Sequence, residues 1–258
     1  MTTRYAAPRT ITRDRGAWNS TAMEHLGTVI QCDANHTIHH YREQGRYWYQ
    51  VVTGVARECA LTVDGHRQIV DFLVPGDLFG FGVRDDSHHF WTEAVARGTT
   101  IARYPRNSAE QLAADDPQAG RWIREMAFES ISRIQARTLI LGLPSSLARV
   151  SVFLLDWTDR CGPSLPNGVM LPMSRYDIAD YLAMAVETVS RALTVLRERE
   201  VIALCGTRRL RICDRHALEQ VTEGSAAMSA KPESFRQSRV SAAHFTIGTH
   251  GERTRASQ

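Results

Sequence analysis

Hydrophobic and polar positions keep two different rhythms along this chain, and the change falls near residue 116. Between about 27 and 104 the rhythm is that of strands. The runs YWYQVV (47–52), ARECALTV (56–63), RQIVDFLV (67–74) and TTIARY (99–104) are rich in β-branched and aromatic residues. Gly45, Gly54, Gly65 and Gly76 punctuate this region at intervals of 9, 11 and 11 residues. Short strands at that spacing predict a sandwich or barrel. Asp64-Gly65 predicts a hairpin turn, because both residue types tolerate positive φ.

From Asp116 the period becomes helical. In PQAGRWIREMAFESISRIQARTLILGL, apolar or small residues recur at Ile123, Ala127, Ser130, Ile134 and Leu141, near the spacing of one helix face. Pro117 suits a first turn, and Gly142 with Pro144 stops the helix. A helix of about 25 residues spans about 37 Å. Its stripe packs on the barrel or, between two domains, makes a dimer seam. Ser145 and Ser146 cap a further helix, SLARVSVFLLDWTDR, followed by the turn CGPSLPNG (161–168) and the short strand VMLP.

The stretch DIADYLAMAVETVSRAL (177–193) has no Gly or Pro, yet it loses its helical phase. Ser174 opens the pattern S-R-Y-D, a capping box with Asp177 at the third helical position. Ile178 and Leu182 form one apolar set; Val189, Leu193 and Leu196 form another. The slip across Ala183, Met184 and Ala185 puts these sets on different faces of a continuous helix. Two helices joined by a tight turn bring both into one core, which is a helix-turn-helix. Glu187, Ser190 and Arg191, at i, i+3 and i+4, then share an exposed face in the first turns of the second helix.

A recognition helix presents its N-terminal residues to base edges. Arg donates bidentately to guanine, Glu accepts from cytosine, and Val186 suits a thymine methyl. Exposed Glu and Arg at this spacing also describe an ordinary solvated ion pair. Beyond the helix, VIALCGTRRLRIC reads as two strands around Gly206, with Arg208, Arg209 and Arg211 clustered as a phosphate-gripping wing requires.

Composition narrows the classes. The 258 residues are 43% hydrophobic and 23% charged, which describes a folded chain with room for two domains. A net charge of +3 selects no partner, and residues 142–223 carry ten Arg against ten Asp or Glu. The electrostatic argument is one of clustering: five Arg against two Glu between Arg197 and Arg211. Lys231 is the only lysine. The five cysteines form no CxxC pair and no zinc or iron–sulfur spacing, which fits a reducing cytoplasm. MTTRYAAPRTITRDRGAW lacks the apolar core of a secretory signal, and no run approaches the ~18 apolar residues of a membrane span. Residues 1–24 and 224–258 read as flexible tails. GxSxG, P-loop and HExxH patterns are missing, so an enzyme is disfavoured.

LPMSRYDIADYLAMAVETVSRALTVLREREVI resembles the winged helix-turn-helix of Crp/Fnr-type bacterial transcription regulators, and its E-T-V-S-R core resembles that of the Fnr and FixK branch. DGHRQIVDFLVPGDLFGFG resembles the family's β-roll with its PGD turn, so the likeness runs from about 27 to 220. The resemblance implies an α+β chain. A cyclic-nucleotide-binding-like β-roll (jelly roll) would occupy 25–115, a long dimerisation helix 116–142 and a Crp-type winged helix-turn-helix 143–223.

The resemblance further implies a homodimer on an inverted repeat like TTGAT-N4-ATCAA, with RNA polymerase as a partner. Its genes would serve low-oxygen respiration, denitrification or nitrogen fixation. Carried over by position, Val186, Glu187, Ser190 and Arg191 read bases, and Ser174, Thr188, Arg197, Arg208 and Arg209 hold phosphates. Two departures stand out. Ala183 occupies the turn position usually held by Gly, at about 1 kcal/mol if its φ is positive. Val186 stands where the cyclic-AMP branch has Arg.

The cyclic-AMP branch binds ribose and phosphate through a Gly-Glu and an Arg-Ser. Here Phe81-Gly82 and Trp91-Thr92 fall at those places, with Arg84 the one substitute. Residues 1–31 contain no cysteine, so the iron–sulfur cluster of other members has no ligands there. The reading is FixK-like, with no cofactor and no metal. A haem stays open through His25, His36, His39, His40, His88 or His89. HTIHH is not a metal motif on a strand, where residues 36 and 39 face opposite sides, and it reads as surface. Cys205 and Cys213 flank the wing, where oxidation would add charge near phosphates; half-buried thiols are the plainer expectation. A ligand-binding module whose helix-turn-helix touches only protein is the remaining alternative.

Overall fold

Among the described residues, four strands form on the β-branched and aromatic runs, and four more form between or beside them. A computed structural model describes residues 21–39, 45–81, 90–162, 168–206 and 208–229. Helix α1 (Thr21–Leu26) leads into strands β1 (Thr28–Cys32), β2 (Thr37–His39), β3 (Tyr47–Thr53), β4 (Ala56–Leu61), β5 (Arg67–Leu73), β6 (Leu78–Phe79), β7 (Phe90–Ala94) and β8 (Thr99–Pro105). They pair antiparallel into two four-stranded sheets, ordered β1-β8-β3-β6 and β2-β7-β4-β5. Ile38, Tyr49, Val51, Leu73, Phe79, Ala94 and Ile101 fill the space between them, with Tyr49 and Phe79 stacked at 5.3 Å. The β4–β5 hairpin closes as expected, although of its two turn residues only Gly65 takes positive φ, at 77°.

HTIHH is not all surface. His36 is exposed, but His39 is 7% exposed and meets Tyr49 edge-on at 5.4 Å. The register of β2 against β7 shifts between Thr37 and His39. A bulge of this kind breaks strict alternation, and Ile38 and His39 both turn inward.

The helical half contains α2 (Arg106–Asp115), α3 (Pro117–Leu141) and α4 (Ser146–Cys161), then β9 (Val169–Met170), α5 (Arg175–Leu182), α6 (Val186–Glu198), β10 (Ile202–Leu204), β11 (Arg209–Ile212) and α7 (Arg215–Ser229). The sequence pattern did not announce α2, which lies in the stretch assigned to the roll. It tucks Ala109 against Trp122 and Ile123 of α3, with Trp48 and Tyr104 of the roll. Its close approach explains Gly120, where a Cβ would stand 2.6 Å from the Ala113 carbonyl. Helix α1 begins inside the segment read as a flexible N-terminus, and α7 continues past Gly224 into the segment read as tail. Residues 1–20 and 230–258 lie outside the described residues.

Asp116 caps α3 by accepting from the Gln118 amide, and Ser145 caps α4 through the Ala148 amide. The α3 stripe expected at a dimer seam is out of phase. Ile123 is buried against the chain's own roll, whereas Phe128, Ile131, Ile134 and Leu139 are exposed. At 100° per residue, the centre of the exposed face lies roughly a quarter turn from the expected one.

One core joins the two halves. Cys59, Ile69 and Phe72 of the roll share a cluster with Phe153, Leu154 and Trp157 of α4 and with the buried faces of α5 and α6. Phe72 lies 5.2 Å from the Tyr181 ring and 6.1 Å from Trp157. Beside this apolar contact runs a buried charge network. Arg160 of α4 reaches Asp77 at 2.9 Å and Asp71 at 3.6 Å, while Arg133 of α3 reaches Asp71 at 2.7 Å and Asp77 at 3.4 Å.

Candidate nucleic-acid interface

Ser174 caps α5 as its spacing predicts, accepting from the Asp177 amide while Asp177 accepts from the Ser174 amide. Helix α5 ends at Ala183, which sits in the left-handed region at φ 50° and ψ 54°. Its N–H and that of Met184 both donate to the Ala179 carbonyl, closing the turn. The two apolar sets that were out of phase now meet: Ile178, Leu182, Val189, Leu193 and Leu196 are each at most 3% exposed and belong to one core.

Left-handed backbone costs a residue with a Cβ about 1–2 kcal/mol, and glycine gives part of that back through its freer unfolded chain. Ala183→Gly is therefore expected to raise stability by about 0.5–1 kcal/mol in urea unfolding. A loss would show that the methyl group makes a contact of its own.

The base-reading candidates separate by exposure. Glu187 and Arg191 are exposed; Val186, Thr188 and Ser190 are half-buried on the same end of α6. No side chain caps α6 at Ala185, which leaves amides at its N-terminus free to meet an anion. Arg197, Arg208 and Arg209 are exposed as a phosphate role requires. Ser174 is exposed too, but its hydroxyl donates to Asp177 Oδ2 at 2.8 Å. A serine has one O–H, so no side-chain donor is left for a phosphate while the capping box stands. Arg175 and Tyr176 were not among the candidates. Both are exposed in the first turn of α5, where the first helix of such a motif crosses the DNA backbone.

Strands β10 and β11 pair from Ile202↔Ile212 to Leu204↔Leu210, and β9 adds to β11. Gly168, at φ 74°, permits that last pairing: a Cβ there would lie 2.3 Å from the Leu210 carbonyl oxygen. Cys205 is half-buried beside the wing, and Cys213 is exposed rather than half-buried. Between the wing, α5 and the roll lies a cleft of about 1030 Å³, lined by Arg57, Arg67, Arg97, Arg175, Arg208 and Arg209 with Asp177 among them.

At the places where the cyclic-AMP branch holds its ligand, Trp91 and Thr92 are among the described residues. Trp91 donates its indole N–H to Glu93 at 2.7 Å, and Thr92 is buried at 1%. Residues 82–89, with Arg84, His88 and His89, and residue His40 lie outside the described residues. Among the described residues no three potential metal ligands cluster, and no helix is long and apolar enough to cross a membrane.

Comparison with known proteins agrees with this architecture. The model of the Crp-like helix-turn-helix domain matches residues 148–221, and that of the cyclic nucleotide-binding domain matches 29–116. The nitrogen fixation regulation protein FixK of Azorhizobium caulinodans is 36% identical over 216 residues, covering 83% of this chain and 86% of that protein. FixK of Rhizobium meliloti is 38% identical over 173 residues, covering 67% and 77%. The structure of FixK2 from Bradyrhizobium japonicum superposes with a TM-score of 0.68 at 34% identity, covering 76% of this chain and 96% of that one. With its roll, long helix and winged helix-turn-helix in that order, the chain belongs to the Crp/Fnr family of transcription regulators, in its FixK-like branch.

Proposed function

We propose that this protein activates transcription as a homodimer that sets two α6 helices into major grooves of an inverted repeat like TTGAT-N4-ATCAA. Its genes are those of low-oxygen respiration, denitrification or nitrogen fixation, in keeping with the names of its FixK relatives. RNA polymerase is the partner, and the cytoplasm, where that DNA lies, is the site of action. One observation carries the reading: Glu187 and Arg191 project from the first turns of α6 while Val189 and Leu193 on its other face are buried. Glu187, Arg191, Ser190 and Val186 read bases. Arg175, Thr188, Arg197, Arg208 and Arg209 grip phosphates, and Ser174 serves as the α5 cap. The exposed stripe Phe128, Ile131, Ile134 and Leu139 joins two copies, because an exposed apolar face on a long helix is covered by a second one.

A gel-shift titration tests the reading with the palindrome and a scrambled duplex. Binding to both alike, or to neither, overturns it. Arg191→Ala is expected to cost about 1–3 kcal/mol on the palindrome and to relax preference at one base pair. Arg208→Ala weakens both duplexes and flattens the salt dependence. If the two variants behave alike, Arg191 is a phosphate contact. Ile131→Glu is expected to raise the dimer dissociation constant about tenfold or more in sedimentation, with an unchanged value assigning the stripe to some other contact.

A further inference from the structure

We propose that Arg57 and Arg67 are positioning residues for DNA binding: together they clasp α5 and hold the winged helix-turn-helix in its DNA-ready pose without a bound effector. This rests on the DNA-binding reading above. Arg57, on β4, is 6% exposed. Its Nη1 donates to Asp177 Oδ1 at 2.9 Å, its Nε and Nη2 to Glu93 Oε2 at 3.0 and 2.7 Å, and its Nη2 to Asn35 Oδ1 at 2.8 Å. Arg67, at the start of β5, donates through Nη2 to Asp177 Oδ1 at 2.9 Å and through Nε and Nη2 to Asp180 Oδ2 at 2.9 and 2.6 Å. Gln68 adds a donor to the Asp180 carbonyl. From the far side, Arg137 of α3 donates to the Tyr181 carbonyl at 3.1 Å and lies over its ring at 5.1 Å.

These contacts converge on α5, and α6 is packed on α5 through Ile178 and Leu182. The pose of the reading helix is therefore inherited from where α5 is held. Greasy contact such as Phe72 against Tyr181 tolerates sliding, whereas several charge-assisted hydrogen bonds from two guanidiniums to the α5 carboxylates fix direction. Glu93 and Asn35 brace Arg57 from within the roll, so its orientation does not depend on Asp177 alone.

The clasped pose leaves the DNA face open to solvent, as binding requires. Arg175, Glu187, Arg191, Arg197, Arg208 and Arg209 are all exposed in it. A dimer reading two half-sites needs both reading helices at a fixed separation, and preorganisation of that separation is what the clasp supplies. Contact with unrelated DNA needs no such separation.

The test uses the full chain with Arg67→Asp, the milder Arg67→Gln, and the swap Arg67→Asp with Asp180→Arg. Asp180 is chosen because Asp177 also caps α5. The expected result is a fall of about tenfold or more in affinity for the palindrome with Arg67→Asp, less with Arg67→Gln, and a change under about threefold on a scrambled duplex. The swap recovers palindrome binding to within about threefold. Free of DNA, small-angle scattering shows a larger radius for Arg67→Asp and a wild-type radius for the swap. Palindrome affinity equal to or above wild type with Arg67→Asp overturns the clasp, as does a folded swap that recovers nothing. If the wild-type protein shifts no duplex, the DNA reading itself falls, and an unchanged radius in Arg67→Asp then removes the clasp as well.

Discussion

Arg160→Ala is expected to lower the unfolding free energy by about 3–5 kcal/mol, measured by urea unfolding. The side chain is 3% exposed and closes the buried network between α4 and β5. Its Nη2 donates both to Asp77 Oδ2 at 2.9 Å and to the Phe72 carbonyl at 2.5 Å, while Nη1 lies 3.6 Å from Asp71 and 3.8 Å from Asp156. Truncation leaves Asp71 and Asp77, themselves 5% and 2% exposed, with Arg133 as the remaining guanidinium among these contacts. The loss is chiefly the cost of buried carboxylates deprived of one guanidinium.

Arg215 provides the contrast. It makes a tighter-looking fork to Asp159, at 2.7 and 2.8 Å, but the two side chains are 48% and 32% exposed. Water already solvates that pair, so Arg215→Ala should cost no more than about 1 kcal/mol. Similar losses in the two variants would mean that burial is not what gives the Arg160 network its weight.

The helix-turn-helix was legible because its evidence is local. The slip between Leu182 and Val189 lies within one short stretch, and the capping box at Ser174 uses residues three apart. The phase of α3 was not legible, for the opposite reason. Its inward face carries Arg133 and Arg137, which look like solvent residues until Asp71, Asp77 and the Tyr181 carbonyl come round to meet them. Its outward face carries Phe128 and Ile131, which look like core. Periodicity locates a stripe but not the side that water touches. Helix α2 hid behind small residues, since Ala109 is its only buried side chain. The clasp was invisible because Arg57 and Arg67 lie at least 110 residues from the carboxylates of α5.

Glu58 carries a pH dependence that its amide removes. It stands on β4 directly across from Asp71 on β5. Burial, and next the neighbouring Asp71 carboxylate, push its carboxyl up from 4.5 to about 7, with Arg133 opposing in part. Arg160 also lies 3.6 Å from Asp71. A carboxyl raised in the folded state binds its proton more tightly there than in the unfolded chain, so stability falls as pH rises through the window between the two values. The contribution is whole below 4.5 and gone above about 7.

A shift of that size corresponds to about 3 kcal/mol at most. Glu58 is only half-buried, and screening brings the expected figure to about 2 kcal/mol. Between pH 5 and pH 8 the wild-type protein should therefore lose about 2 kcal/mol that Glu58→Gln retains, since every other titrating group is common to both. Urea unfolding of the pair at the two pH values measures the difference directly. Parallel stability curves would place the Glu58 carboxylate in water, clear of Asp71.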